Sequence, residues 1–514
     1  MASFPMVYAT RERDPGMTGA VGMAGAPSGG RYLGLDLGTS GLKALLIDGA
    51  QRVVASADAG LEVSRPRPGW SEQSPEAWLA AADRAVAALA AQAPEDMGRV
   101  RGIGLSGQMH GATLLDEADR PLRPCILWDD VRSAAEAARL DADPRFRAIS
   151  GNIVFPGFTA PKLAWMAAHE PALFARIRKV LLPKDYLRLW LTGAHVSDVS
   201  DAAGTGWLDV GARAWSPDLL AAGGMERGQM PELVEGTEVS GTLRPALARR
   251  WGMPEGVVVA GGGGDNAASA IGTGAVRPGA AFVSLGTSGV LFAATDRYLP
   301  APDSAVHAFC HALPGMWHHM GVILSAASAL DWFARIAGQP ASALAAELDE
   351  TAKAPGPVAF LPYLAGERTP HNDAAVRGGF FGLSHAADRP MLTRAVMDGV
   401  AFCLRDCLDA LRAAGQDVER ATAVGGGSRS RVWLISVANA LGVPIDIPAS
   451  GEFGATLGAA RLALIAAEGA EPMAVCAPPA TESEILPDPA LADAYAAAHA
   501  RHRGLYPALG AAGR

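Results

Sequence analysis

The chain has 514 residues, of which 49% are hydrophobic, and a formal net charge of −9 at pH 7. This length exceeds what one hydrophobic core organises, so two domains are expected. The acidic balance, without a basic stripe, argues against nucleic acid as a partner, and the absence of an apolar run of 18 residues argues against a membrane-spanning protein. Five scattered cysteines form no disulfide framework, which favours a reducing cytoplasm.

Residues 1–30 are rich in glycine, alanine and methionine and differ from the rest of the chain. They contain no apolar core of the kind that signal peptides have. We therefore predict a flexible N-terminal extension and a folded region that begins at Arg31.

The segment Leu-Gly-Thr-Ser-Gly occurs twice, at residues 37–41 and 285–289. Each copy lies between two apolar, β-prone runs, which predicts a β-hairpin with a tip of glycine and hydroxyl groups. Such a tip suits phosphate, because backbone N–H groups can approach the ligand closely. We predict that two tips grip one phosphate chain from both sides; two ordinary hairpins are the alternative. The first tip is Gly38, Thr39 and Ser40, and the second tip is Gly286, Thr287 and Ser288.

The hairpin is followed by a predicted strand over 51–63, a helix that starts at Pro75 with Ser74 as N-cap, and a strand over 100–105. Gly102, Gly104 and Gly107 match the dinucleotide-binding fingerprint in spacing. That motif should open a helix, whereas residues 112–116 read as another strand. We therefore reject a dinucleotide site here.

Polar and aromatic residues after this strand are candidates for sugar recognition. Met109 and His110 lie in a glycine-flanked loop, where an imidazole can bond sugar hydroxyls; a buried structural histidine is the alternative. Trp128, Asp130 and Arg132 could supply a stacking face and polar contacts, or equally a buried anchor.

Two carboxylates follow buried strands next to glycine-rich turns. Asp36 precedes the first tip, where a carboxylate would hold magnesium; a local turn cap is the alternative. Asp265 and Asn266 follow four glycines and open a predicted helix, so Asp265 is a candidate general base for phosphoryl transfer and a second carboxylate for the metal. A simple N-cap would not need the four glycines, whereas close approach to a ligand would.

A third glycine-rich turn lies between a strand over 421–424 and a helix over 432–441. Its members, Gly425, Gly426, Gly427 and Ser428, could face adenine or ribose, or could form only a tight turn. A histidine-rich segment over 307–319 lacks familiar metal-ligand spacing, so we expect strand and packing roles for it.

Several of these segments, in this order, resemble the FGGY family of carbohydrate kinases. The resemblance rests on the LGTS turn, the QMHG loop at 108–111, GFTAPKLAW at 157–165, Asp265-Asn266, the second SLGTSG, GERTP at 366–370 and the glycines at 425–427. It covers about residues 31–470.

The resemblance implies the duplicated ribonuclease-H-like fold of actin-like ATPases, an α/β fold with two domains around a catalytic cleft. The domains would be 31–275, with the sugar site and the base, and 276–514, with the nucleotide site. It implies transfer of the ATP γ-phosphate to the 5-hydroxyl of D-xylulose with Mg²⁺, Asp265 as base, Asp36 at the metal, and a homodimer as a common family state. The alternatives are another sugar or polyol kinase of this family, acting on ribulose, gluconate or glycerol, and an actin-like ATPase switch that uses no sugar.

Overall fold

The computed structural model describes residues 29–449 and 454–512. The predicted extension over 1–30 therefore lies, up to residue 28, outside the described residues. Within them the chain forms two α/β units, each built on a mixed sheet. The predicted fold class is confirmed.

The first sheet is formed by residues of the first half of the chain. Arg31–Leu37 pairs antiparallel with Gly41–Asp48 and parallel with Val100–Gly107. The order across this sheet is Val239–Thr242, Val258–Ala260, Val100–Gly107, Arg31–Leu37, Gly41–Asp48 and Val53–Gly60, with Gly263–Gly264 also paired to Val100–Gly107.

The second sheet repeats this arrangement. Ala280–Leu285 pairs antiparallel with Gly289–Thr295 and parallel with Arg420–Val424, as the matching strands do in the first sheet. The repeated sequence therefore corresponds to a repeated strand topology. The order is His307–Cys310, Trp317–Ile323, Gly289–Thr295, Ala280–Leu285, Arg420–Val424, Ile445–Pro448 and Thr481–Ile485.

Helices cover both sheets and fill the connections between strands. The longer ones are Pro75–Gln92, Ala134–Asp141, Thr159–His169, Pro183–Thr192, Pro245–Trp251, Asp265–Thr273, Ala327–Ala337, Arg389–Ala413, Arg431–Leu441, Gly454–Glu468 and Ala492–Ala512. Short strand pairs join Glu72–Gln73 to Cys125–Ile126, Thr113–Leu115 to Lys179–Leu181, Val196–Asp198 to Glu232–Val234, Leu208–Asp209 to Ala214–Trp215, and Ala359–Leu361 to Gly379–Phe381.

Most predicted elements are confirmed, and the differences have local causes. Ser74 precedes its helix in an extended conformation, but its hydroxyl contacts the Glu76 carboxylate instead of a backbone N–H. Gly102, Gly104 and Gly107 lie inside a strand that is followed by another strand, so rejecting a dinucleotide site was correct. No element was predicted after Pro472. This alanine- and proline-rich segment nevertheless forms Thr481–Ile485, the edge strand of the second sheet, and the 21-residue helix Ala492–Ala512.

One helix of the second half packs against the first sheet. This crossing helix, Gly454–Glu468, lies across strands Arg31–Leu37 and Val100–Gly107 and against the helix that starts at Asp265. A β-carbon added at Gly104 would lie 1.8 Å from the carbonyl oxygen of Ala459. Only glycine allows backbone and backbone to approach this closely. Gly102 and Gly104, two of the three glycines that imitate a dinucleotide motif, are thus explained by the contact with this helix.

Candidate active site

Asp36 and Asp265 lie at the same edge of the first sheet. In the register of the parallel strands, Asp36 pairs with Ser106, and Ser106 pairs with Gly263 on the next strand. Asp265 lies two residues after Gly263, as the first residue of helix Asp265–Thr273, hereafter the base helix. The carboxyl ends of parallel strands are the usual place for ligands in open α/β sheets.

The environment of Asp265 gives its carboxyl an unusual proton affinity. Desolvation by the surrounding protein and the nearby charge of Asp36 raise its pKa to about 6. Two donors of Asn266 oppose this, since its backbone N–H and its Nδ2 lie 2.7 Å and 2.9 Å from Asp265 Oδ1. A carboxyl with a pKa near neutrality can exchange a proton at physiological pH, as a general base must.

The donor set around Asp36 fits a divalent cation. Ser106 Oγ donates to Asp36 Oδ1 over 2.9 Å, and desolvation raises the pKa of Asp36 despite this bond and the charge of Lys43. The charge of Asp36 raises the pKa of Asp265, and a cation between two such carboxylates would stabilise both charges. Hard oxygen donors of this kind suit Mg²⁺.

The first tip is held by a network of amide side chains that sequence reasoning missed. Gln73 Nε2 donates to the carbonyl of Thr39 over 2.7 Å, and Thr39 Oγ1 donates to Gln108 Oε1 over 3.1 Å. Within the described part of the chain, the N–H groups of Thr39 and Ser40 meet no acceptor, so both remain available to an anion. Gln108 lies in the QMHG motif quoted for the resemblance, which was the signal for it.

The second tip and the third glycine turn, both predicted to face the nucleotide, lie next to each other. The N–H groups of Ala326 and Ala327 donate to Thr287 and Gly286 at 2.9 Å and 2.8 Å, which fixes the second tip. β-carbons added at Gly425 and Gly427 would meet Leu285, the residue before the tip, at 3.0 Å and 2.8 Å. Gly425 and Gly426 are exposed beside this contact.

Met109 lies beside the residue that precedes Asp265, and His110 follows Met109 in the chain. A β-carbon at Gly264, the residue before Asp265, would lie 2.9 Å from the Met109 sulfur. His110 Nδ1 lies 2.7 Å from the carbonyl oxygen of Gly204, so Nδ1 must carry the proton. Desolvation, with a smaller effect from the Lys162 charge, lowers the pKa of His110 to about 3. The ring is therefore neutral, and its Nε2 can accept a hydrogen bond from a hydroxyl group.

The remaining predicted sugar contacts are arranged differently from one another. Trp128 is 41% exposed, and its indole N–H donates to Thr39 Oγ1 over 3.0 Å, so its ring lies beside the first tip. Asp130 and Arg132 are buried and pair with each other at 2.7 Å, and the Arg132 guanidinium stacks on Trp70 at 3.6 Å. This pair fits the alternative of a buried anchor better than direct sugar contact.

The first two of the four glycines before Asp265 have a different cause from the one predicted. A β-carbon at Gly261 would lie 2.1 Å from the Glu235 carbonyl oxygen, and one at Gly262 would lie 2.3 Å from that of Leu105. Gly262 also has a φ of +78°, which favours glycine. Protein packing therefore accounts for these two glycines, and close approach to a ligand is not needed to explain them.

Two cations near His110 were missed by sequence reasoning. Lys162 is buried, and its ammonium donates to the carbonyls of His110 and Phe158 at 3.3 Å and 3.1 Å. Arg368 comes from the second half and lies 4.4 Å above the Phe155 ring. Desolvation lowers the pKa of Lys162 to about 7 and that of Arg368 to about 10. Lys162 and Arg368 lie within quoted motifs, but nothing in their spacing indicated that both would lie near His110.

The histidine-rich segment has the strand role that was expected of it. His307 and Cys310 are the first and last residues of one strand, and His318 and His319 lie on its antiparallel partner. Among the described residues, the groups close enough to share a metal ion contain none of these four. In the same part of the chain, no helix is both long and apolar enough to cross a membrane.

Comparison with known proteins places the chain in a family. The model of the N-terminal domain of the FGGY family of carbohydrate kinases matches residues 31–272, and that of the C-terminal domain matches residues 281–467. A xylulose kinase of Escherichia coli is 50% identical over 484 residues, which are 93% of this chain and 99% of that protein.

Solved structures agree with this assignment. The structure of a xyloylose kinase from Brucella ovis is 64% identical, with a TM-score of 0.92, and covers 94% of this chain and 99% of its own. A gluconate kinase from Lactobacillus acidophilus is 25% identical, with a TM-score of 0.86, over 93% and 98% of the two chains. The chain with this duplicated α/β fold belongs to the FGGY family of carbohydrate kinases, enzymes that transfer phosphate to an alcohol group.

Proposed function

We propose that this protein phosphorylates D-xylulose at its 5-hydroxyl with Mg-ATP, and that Asp265 is the general base. The observation that carries the proposal is the convergence of Asp265, Asp36, Met109 and His110 at one edge of the first sheet. The high identity to xylulose kinases over nearly the full length supports the choice of sugar. We also propose a division at residue 275 into a sugar-binding and a nucleotide-binding domain.

The proposed chemistry assigns each group a separate task. Asp265 accepts the proton of the 5-hydroxyl and orients its oxygen in line with the γ-phosphorus, since the transition state is loose. His110 Nε2 accepts a hydrogen bond from another sugar hydroxyl, and Asn266 lies beside the base. Asp36 and Asp265 would hold Mg²⁺, which supplies neutralisation of phosphate charge when bound.

The nucleotide would lie between the two halves. The free N–H groups of the first tip would meet the γ-phosphate end, and those of the second tip the other phosphates. The exposed turn Gly425–Ser428 would lie along ribose or adenine. Trp128, next to Thr39, would cover one side of the sugar.

The choice of sugar is tested by ADP release from Mg-ATP with D-xylulose, D-ribulose, L-ribulose, gluconate, glycerol or no sugar. We expect kcat/KM for D-xylulose to exceed that for each other compound by at least about tenfold, since one pocket contact discriminates by ~1–3 kcal/mol. A different preferred sugar would keep the family and change the substrate. Equal slow turnover with and without sugars would instead favour the ATPase switch.

The acidic limb of the pH profile should report Asp265. We expect kcat/KM to fall below a pH of about 6, because the base is then protonated. Asp36→Asn removes one of the two causes of the raised pKa, so the inflection should move to lower pH, while activity also drops. An inflection that stays in place in this variant would show that Asp36 does not act on the titrating group.

A homodimer and a cytoplasmic location stay predictions for this chain. Light scattering coupled to size-exclusion chromatography would give the mass of the assembly directly, and fractionation of cells would give the location.

A further inference from the structure

A fully buried group of charges lies below the glycine segment that leads to Asp265. We call it the Lys184 cluster: Lys184, Asp185, Arg188, Asp198 and Asp201, each with 0% exposure. Lys184 Nζ lies 2.5 Å, 2.6 Å and 3.0 Å from oxygens of Asp185, Asp198 and Asp201. Burial opposes the charge of Lys184, but the three carboxylates outweigh it and raise its pKa.

The three carboxylates of the cluster are near enough to one another to share a metal ion. The Lys184 ammonium lies between them, and the Arg188 guanidinium lies 3.6 Å from Asp185. Desolvation raises the pKa of Asp201 well above its usual value, which favours its neutral form, so two cations face two charged carboxylates. Charges buried this completely are costly unless each has a partner, and removing one partner is strongly destabilising. The cluster is therefore an ion-pair group, and neither the metal nor the base of the proposed chemistry uses it.

The cluster is connected to the base helix through Ser200. Asp198 Oδ1 accepts the N–H groups of Ser200 and Asp201 at 2.9 Å and 3.1 Å, and also the Ser200 hydroxyl. Since that hydroxyl has given its only proton to Asp198, its oxygen is free to accept. It does so from the N–H of Gly264, over 3.2 Å. Gly264 is the N-cap of the base helix and immediately precedes Asp265.

Arg188, one helical turn after Lys184, holds the other end of the same segment. Its Nη1 donates to the carbonyl oxygen of Ala260 over 2.7 Å, and its Nη2 donates to that of Gly261. Hydrogen bonds thus hold the backbone of this segment at both ends: Arg188 binds Gly261 directly, and the cluster holds Gly264 through Ser200. Glycines have wide conformational freedom, so a run of four needs such anchors to present a side chain in one place.

We propose that the Lys184 cluster is a positioning device for Asp265, in which Lys184 fixes Asp198, Asp198 orients Ser200, and Ser200 holds the backbone of Gly264. The inference rests on the proposed role of Asp265 as base. Ser200 is the link whose removal alters the cluster least, because Lys184 keeps its three carboxylates without it. The alternative is that Ser200 contributes to folding only.

Ser197 provides a matched control for Ser200. Both serines are fully buried, and both donate to a carboxylate of the cluster; Ser197 Oγ donates to Asp185 Oδ2 over 2.6 Å. No bond joins the Ser197 side chain to the segment 260–265 among the described residues. Alanine at either position deletes one buried hydroxyl that donates to a carboxylate of the cluster, so both variants should lose stability. Ser200→Ala also removes the acceptor of the Gly264 N–H and should lose somewhat more.

The experiment measures Tm, kcat, sugar KM and the pH profile for Ser200→Ala, Ser197→Ala and Asp265→Asn. We expect both serine variants to have a lowered Tm, but only Ser200→Ala to lose kcat, by about 10- to 100-fold, with sugar KM changed less than about threefold. Its acidic inflection should also move, because the environment of Asp265 changes. Ser200→Cys, with a weaker acceptor, should lie between Ser200→Ala and the unaltered protein.

The outcomes separate two failures. If Asp265→Asn loses activity while Ser200→Ala behaves like Ser197→Ala, the base assignment stands and the positioning role is overturned. If Asp265→Asn keeps kcat within tenfold, the base assignment itself is wrong, and the inference goes with it. If kcat falls equally in both serine variants, the cluster contributes to folding only, and the positioning role is overturned.

Discussion

Asp265→Asn is expected to lower kcat by about 10³-fold, the loss that follows when a positioned general base is removed. Asparagine keeps the shape of the side chain but accepts no proton. Binding of the sugar, measured by calorimetry without ATP, should weaken far less, since Met109 and His110 are unchanged. A kcat within tenfold of the unaltered enzyme would contradict the assignment.

The same variant is expected to be more stable than the unaltered protein above pH 7. The folded-state pKa of Asp265 is raised from 3.8 to about 6, so folding disfavours its ionised form. Stability linked to this group is therefore present at low pH and is lost as the pH rises through 6. Asn266 donors and solvent reduce the effect, and we expect a gain of about 1–3 kcal/mol at pH 8.

Measuring unfolding of both proteins in urea at pH 5 and pH 8 separates these effects. The stability difference should be about half as large at pH 5, which lies between the unfolded and folded pKa values, as at pH 8. Asp116→Asn is a suitable control, because hydrogen bonds from Arg120 and Ala118 lower the pKa of Asp116. That variant should lose stability at pH 8 where Asp265→Asn gains it. A loss of stability at pH 8 in both variants would contradict the desolvation of Asp265 that raises its pKa.

Gly458→Ala is expected to be the most destabilising single-methyl change in the chain's centre. Its β-carbon would lie 1.8 Å from the carbonyl oxygen of Ala268 and 3.1 Å from the nitrogen of Gly272, both backbone atoms of the base helix. Neither can rotate away, so the two helices must separate. Overpacking usually costs ~1–3 kcal/mol, and we expect about 3 kcal/mol or more here. Because the base helix carries Asp265, kcat should fall as well.

Gly504→Ala is the matched control, since Gly504 also lies within a helix but an added β-carbon would meet no atom within 4 Å. Alanine favours helices over glycine by up to ~1 kcal/mol, so this variant should be neutral or slightly stabilised. Urea unfolding of both variants gives the comparison. Equal stabilities would show that the helix contact around Gly458 is looser than described.

The repeat made much of the fold predictable, because two hairpins with the same turn imply two similar sheets. The carboxylates and the His110 loop could be found because each lies at or just after the end of a strand. The tight helix contact could not be found this way. Gly102 and Gly104 are needed because of residues 459–463, and a contact over that separation leaves no local pattern in the sequence.

The Lys184 cluster shows the same limit for charged residues. A lysine next to an aspartate in LLPKDYLRL reads as an ordinary exposed pair, and only the fold brings Asp198 and Asp201 to it. The role of the four glycines was misjudged for a related reason. Their close neighbours, Glu235 and Leu105, belong to distant segments, so a ligand was the nearest local explanation.

The crossing helix has a consequence for how the protein is made. The glycine-lined face of the first sheet is complete in sequence at Gly107, but its cover is residues 454–468. At translation rates of 5–20 residues per second, roughly 20–70 s pass between the two. During that time the nascent chain must carry an uncovered apolar face, which makes the emerging first half a client for ribosome-associated chaperones.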